Sequence, residues 1–160
     1  MATALTQPNM SCVFQALLTK TVADGGVITD NTKLSSGNQP SDATIFYHDR
    51  LTVTNGSNQS LDLYGTLTDQ LGNTITFAKV YGFLVVNRST TSGDVLHVGN
   101  SNFAAYLGSA TDYVIVGPGG FFMLNNPLFG YTVTTSTADI FKIANPGANN
   151  ISIDIGIIGK

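Results

Sequence analysis

Residues 141–160 run FKIANPGANNISIDIGIIGK, and no other stretch of the chain is so plainly built for a sheet. Ile151, Ile153, Ile155 and Ile157 alternate with Ser152, Asp154 and Gly156. A period of two places every isoleucine on one face, so the segment reads as a strand with one buried side. Just upstream, Phe141 and Ile143 oppose Ile140, Lys142 and Ala144 in the same way. The spacing predicts two strands paired with each other, joined by the turn-forming NPGANN, with the isoleucine face of the last one in the core.

The same grammar recurs upstream. LTVTN-GSNQ-SLDL, FLVVN-RSTTSGD-VLHV and FKIAN-PGAN-NISI share one pattern: an alternating strand ends in Asn, a short polar loop follows, and another alternating strand begins. The intervals are unequal and the flanks dissimilar, so these are recurrent β corners rather than a true repeat. Asn suits such an exit because its side chain can bond its own backbone and tolerates a left-handed conformation. Between the corners, Leu51 and Val53 alternate with Thr52 and Thr54, and Leu61, Leu63 and Leu67 alternate with polar neighbours. Gly72-Asn73 marks a tight hairpin. Thr74 to Asn87 then forms the longest strand candidate, with Phe77, Tyr81, Phe83 and Val85 on one side and Val80, Leu84 and Val86 on the other. Apolar on both sides, it reads as a central strand. Val95–Val98, Tyr113–Val116 and Phe121–Leu124 are further candidates, the last entered through GPGG, whose Pro-Gly pair suits a type II turn. No helix of ordinary length is visible from residue 43 onward.

The start of the chain is different. Val13, Phe14, Leu17, Leu18 and Val22 recur at helical spacing behind Ser11 as an N-cap, with Gly25 and Gly26 as a stop. A short helix is one reading. The other, favoured by the β-branched Thr19, Thr21 and Val22, is an extended arm or edge strand. Residues 29–41 (TDNTKLSSGNQPS) read as a surface loop. The expected organisation is therefore an N-terminal arm over residues 1–25 and a single β-sandwich domain over 26–160, jelly-roll-like, from about ten short strands.

Composition narrows the function. Only 11% of the 160 residues are charged, against about one-quarter in an average domain, so much of the surface falls to Ser, Thr, Asn, Gln and apolar groups. Such a surface is poorly protected against association. The net charge is -3, and the seven cations are scattered, which excludes the massed basic face that nucleic acid requires. No apolar run approaches the length of a membrane-spanning helix, and the opening MATALTQPNM lacks a basic segment before an apolar core, so folding in the cytosol is expected. A lone Cys12 cannot close an internal disulfide.

Catalytic and metal chemistry find little purchase. His48 and Asp49 are neighbours in a strand and point to opposite faces, and there is no GxSxG elbow, so a Ser-His-Asp triad is not assembled. His97 alternates with Val95 on a half-buried strand and reads as structural. Two isolated histidines and one cysteine give no zinc spacing, and most of the ten Asp residues read as turn formers, none of them in the DxDxDG of a calcium loop. No cofactor and no metal are expected, and the chain is not expected to be an enzyme. More informative are the apolar loop segments SNFAAYLGS and NNPLFGY. Phe103, Tyr106, Leu128 and Phe129 in these loops, with Val13, Phe14 and Leu17 in the arm, are the candidate interface residues. Exposed, the loop residues would form an adhesive patch; the alternative is that they plug the open ends of a sandwich.

Three segments carry a resemblance: TLTDQLGNTITFAKVYGFLVVNRSTTSGDVLHVG (66–99), the VGPGGFF turn, and STADIFKIANPGANNISIDIGIIG (136–159). They resemble small β-rich virion proteins of tailed bacteriophages, of the capsid decoration or cement type. The resemblance implies a jelly-roll or sandwich domain that forms a dimer or trimer on the phage head and clamps adjacent major capsid subunits. It also implies a life on the capsid surface, reached from the host cytoplasm during assembly, without nucleic acid or membrane as partners. It transfers no site residue. Two rivals remain from other classes: a carbohydrate- or receptor-binding module of a phage tail or fibre, and a small hydrolase on a jelly roll.

Overall fold

A computed structural model describes residues 10–21, 27–38, 40, 42–69 and 72–160. The described residues form strands, turns and loops, with no helix among them. The first two strands, β1 (Met10–Thr21) and β2 (Val27–Asn38), pair antiparallel from Met10↔Asn38 to Thr21↔Val27. There follow β3 (Ile45–Val53), β4 (Ser57–Asp62), β5 (Leu67–Thr68), β6 (Thr74–Ile75), β7 (Lys79–Asn87), β8 (Leu96–Gly99) and β9 (Tyr113–Val116). The series ends with β10 (Phe121–Asn125), β11 (Tyr131–Thr132), β12 (Ile140–Asn145) and β13 (Ile151–Gly159).

Two sheets make the body. One has the order β10-β7-β13-β3, with β11 also on β7; the other has the order β4-β12-β8-β9. Their inward faces meet in one hydrophobic cluster. Ile151, Ile153, Ile155 and Ile157 of β13, with Val53, Phe83 and Val85 of the same sheet, pack with Phe141, Ile143, Leu96 and Val98 of the other. The isoleucine face is thus buried as its alternation requires. Phe83 lies edge-on to Phe141 with ring centroids 4.8 Å apart, a contact between the two sheets. The turns also follow their chemistry. Gly119, at φ 68°, completes a type II turn closed by the Gly120 N–H on the Gly117 carbonyl at 3.0 Å. β5 and β6 pair as a hairpin across the Gly72-Asn73 turn.

Of the two readings of the start of the chain, residues 10–21 follow the favoured extended one, a strand, and not the short helix. Three expectations are corrected. The segment 29–41 is not a loop for most of its length, since β2 runs through Asn38. A sheet ladder bonds backbone groups whatever their side chains, so polar TDNTKLSSGN completes a hairpin with β1. The 25/26 boundary proposed between arm and domain lies outside the described residues. β12 and β13 do not pair with each other: β12 lies between β4 and β8, while β13 lies between β3 and β7. Finally, residues 74–87 are two strands, and β7 carries a bulge. Gly82 opposes Ile158 and Val80 opposes Gly159, leaving Tyr81 as the extra residue. Val80 therefore joins Phe83 and Val85 in the core, and Tyr81 packs instead with Ala43 and Ile158 on the outside of the sheet.

The corners explain the separation of β12 from β13. Asn145, 1% exposed, donates its side-chain amide to the carbonyls of Val53 (3.0 Å) and Asn149 (2.7 Å), and its Oδ1 accepts the Gly147 N–H at 3.0 Å. Asn87, 0% exposed, repeats the device: its amide donates to the Asp94 and Val116 carbonyls at 2.8 and 3.1 Å, and its Oδ1 accepts the Ser89 N–H at 3.0 Å. Each Asn holds a loop as the chain leaves one sheet and enters the other. Neither adopts the left-handed conformation expected of it; Asn100 and Ser136 are the described non-glycine residues at positive φ. The third corner, at Asn55, is exposed and accepts no such role.

Candidate functional site

The register of the five-stranded sheet fixes which residues share its outer face. Three rows cross β10, β7, β13 and β3: Phe121–Val86–Asp154–Arg50, Met123–Leu84–Gly156–His48, and Asn125–Gly82–Ile158–Phe46. The outer side of a sheet in water is ordinarily polar. Here Phe121 is 60% exposed and Phe46 42%, and Leu84, Val86 and Met123 are half-buried beside them. Gly156 leaves a gap in the middle row, and the result is a shallow trough of about 500 Å³ lined by Leu84, Phe46, His48, Asp49 and Arg50. Its aromatic wall is firm, because the Phe46 and His48 rings stack at 5.1 Å.

One edge of the trough is charged. Arg50 grips Asp154 with two hydrogen bonds, Nε to Oδ1 at 2.6 Å and Nη2 to Oδ2 at 3.2 Å, and Arg88 Nε lies 3.3 Å from Oδ2. The Arg50 hydrogen bond, aided by the charges of Arg50 and Arg88, holds the Asp154 carboxyl below its ordinary value.

A second apolar feature stands at the tip of the loop between β10 and β11. Leu128 is 88% exposed and Phe129 74%. The loop is braced at its base. The Asn126 N–H donates to the Tyr81 carbonyl at 2.7 Å, and the Gly130 N–H closes back on Asn126 at 2.9 Å. Gly130 is required there: its φ is 64°, and an added Cβ would stand 2.7 Å from the Lys79 side chain. Lys79, Leu128, Phe129 and Tyr131 border a hollow of about 410 Å³ under the tip.

The candidate interface residues therefore divide. Leu128 and Phe129 stand at the surface. Phe103, 0% exposed, is in the core, and Tyr106 is half-buried against it, 5.0 Å from the Phe83 ring. Their loop plugs one end of the body. Asn102 drives it inward: its Oδ1 accepts the Ile140 N–H at 2.7 Å and its Nδ2 donates to Asp139 at 2.9 Å. Val13, Phe14 and Leu17 lie in β1, opposite Ser35, Leu34 and Asn31, and only their backbone is described. His48 sits on the outer face and Asp49 on the alternate side, as strand geometry demands. His97 stacks on Tyr113 with ring centroids 4.2 Å apart on the outside of the four-stranded sheet.

No protein-family model matches the chain, and no match to it was found among curated proteins. Its reading rests on the surfaces themselves. Phe46, Leu84, Phe121 and Met123 escaped the sequence reading of the interface, although their signal was present: both sides of β7 and β10 are apolar, a pattern that also describes a strand covered on both faces. No group of three His, Cys, Asp or Glu able to hold a metal occurs among the described residues.

Proposed function

We propose that the protein is a structural virion protein, a decoration or cement protein that oligomerises on the head of a tailed bacteriophage and stabilises contacts between major capsid subunits. The observation that carries this reading is the apolar outer face of the five-stranded sheet, in a chain with too few charges to keep such a face apart from partners. The proposed architecture is a jelly-roll β-sandwich. Supporting it, the eight longer strands of the two sheets pair as one hairpin folded over itself: β3 with β13, β4 with β12, β7 with β10 and β8 with β9. That nesting is what two Greek keys produce, an architecture common among capsid and lectin domains. A cement protein gains from many weak copies on a symmetric shell, because each gripped subunit makes the next contact intramolecular.

An antibody raised against the protein and applied to intact virions tests the proposal in electron micrographs. Labelling distributed over the head is expected; labelling confined to the tail overturns it. One observation favours a second reading, a carbohydrate- or receptor-binding module of a tail or fibre. The stacked His97–Tyr113 pair, with Tyr113 45% exposed, offers an aromatic platform of the kind on which a sugar ring packs. A glycan array with the native chain and with Tyr113→Ala decides it: binding lost in the variant favours the module, and no binding by either removes it.

A further inference from the structure

One face of the β1–β2 hairpin is apolar along most of its length. Opposed residues of an antiparallel pair share a side, so the register sets Met10, Cys12, Phe14, Ala16 and Leu18 of β1 on one face with Ile28 and Leu34 of β2. The other face takes Ser11, Gln15, Thr19 and Lys33 along with Val13 and Leu17. The two charges of the apolar face, Lys20 and Asp30, cancel and fall toward its tip. A two-stranded hairpin alone in water is marginal. Among the described residues β1 and β2 pair with no other strand, so burial of the apolar face is what completes this one.

The join between hairpin and body points to the surface it meets. Ala43 packs with Tyr81 and Ile158 on the outer side of the five-stranded sheet, the Thr44 N–H donates to the Gly159 carbonyl at 2.9 Å, and Asp42 is ion-paired with Lys160. The chain is thus pinned at the rim of the outer face that carries Phe46, Leu84, Phe121 and Met123. Asn38, where β2 ends, lies five positions before Ala43, a span of at most about 18 Å. Each hairpin strand has 12 residues, about 40 Å, against 9 residues, about 30 Å, in β13, so the hairpin can cross such a sheet from end to end. Within the single chain Phe121 is nevertheless 60% exposed and Phe46 42%, which leaves this face open to a hairpin from a second copy. We infer that two copies of this chain exchange their hairpins, the apolar face of each β1–β2 hairpin lying on the outer face of the five-stranded sheet of the other. A reciprocal exchange is isologous and closes as a dimer, and once one hairpin has docked the second contact is intramolecular. This inference rests on reading the protein as a self-assembling structural component, and names the two surfaces that join.

Cys12 is the chain's one cysteine and falls on the apolar face of the hairpin, so it serves as the probe. Leu84→Cys, Val86→Cys, Phe121→Cys and Met123→Cys, made singly in the full chain, place a second thiol on the outer sheet face. Diamide oxidation is expected to join Cys12 of one copy to the new thiol of another, seen as a dimer on a non-reducing gel. The native chain and Tyr113→Cys, on the outside of the other sheet, are expected to give none. Light scattering behind a sizing column is expected to show twice the 16.8 kDa of one chain for the native protein. Phe14→Ser with Leu18→Ser on the hairpin, and Phe121→Ser on the body, are each expected to weaken the dimer about tenfold or more. Val13→Ser with Leu17→Ser, on the opposite hairpin face, is expected to leave it intact.

A disulfide formed within one chain overturns the exchange and makes the hairpin a cover for its own body. Failure of all four cysteine variants to cross-link, or a native chain that stays monomeric, overturns it too. A native dimer that survives both the Phe14/Leu18 and the Phe121 variants overturns it and leaves self-assembly standing through another surface. Labelling of phage heads decides the virion proposal independently of these outcomes.

Discussion

Asn145 shows how much one side chain can decide. Its amide satisfies two carbonyls and its oxygen one N–H, all in a site sealed from water. Asn145→Ala leaves those groups unpaired and is expected to cost about 3 kcal/mol, read from the shift of the urea midpoint. Its counterpart Asn87 is tied to the same region through Asp94, whose carboxylate accepts from Ser89 Oγ at 2.6 Å and from Asn149 Nδ2 at 3.0 Å. The Ser89 hydroxyl and then the Asn149 amide hold the Asp94 carboxyl below its ordinary value. On acidification the unfolded chain therefore takes up this proton first. The stability Asp94 contributes is whole above about pH 4 and is lost as pH falls through the folded value. Asp94→Asn is expected to flatten the acid limb of a plot of stability against pH. At the alkaline end, burial and the nearby Asp49 carboxylate push the Tyr47 phenol up to about 12. Its contribution is whole below the ordinary phenol value of about 10 and is lost as pH rises through 12. Phenolate absorbance is expected to show this tyrosine ionising together with alkaline unfolding. The Asn corners were legible in sequence as a recurring pattern, but which of the three Asn would be buried was not, because burial depends on a carbonyl such as that of Val53, brought in from another strand.

Among the elements, β7 is the most telling. Its alternating pattern runs unbroken in sequence through Val80 and Tyr81, yet the bulge turns both residues over, so that Val80 enters the core and Tyr81 leaves it. Beside the bulge, Gly159 of β13 packs closely against the start of β7. A Cβ on Gly159 would stand 2.2 Å from the Lys79 carbonyl oxygen and 2.6 Å from the Phe77 ring. Gly159→Ala is expected to cost about 1–3 kcal/mol by forcing those strands apart, seen as a lowered thermal midpoint. β10 teaches the same lesson from the other side: Phe122 and Leu124 pack on the core while Phe121 and Met123 form the outer face, and only the sheet order distinguishes them. The sequence pattern of apolar residues on both sides marks a strand with two sticky faces. It does not say whether the second is covered by the same chain or by another.

At the scale of the molecule, β1 and β2 form a sheet of their own and, among the described residues, share no strand pairing with the rest. A chain beginning at Pro40 is therefore expected to keep the cooperative thermal unfolding of the full chain, followed by circular dichroism, with the body's core intact. Loss of cooperativity would show that the hairpin is part of the folding unit. The all-β class, the strands around Leu51–Val53, Tyr113–Val116, Phe121–Leu124 and Ile151–Ile157, and the turns at Gly72-Asn73 and Pro118-Gly119 were determined by the sequence alone, because alternation and turn chemistry act over a few neighbouring residues. Tertiary structure alone decided that β12 and β13 belong to different sheets, that Phe103 is core while Leu128 is surface, and that the outer rows through Leu84 and Gly156 stay uncovered. Those outcomes depend on partners far apart in the chain. The apolar area that such partners bury together outweighs the local preference of adjacent strands to close on each other as a hairpin.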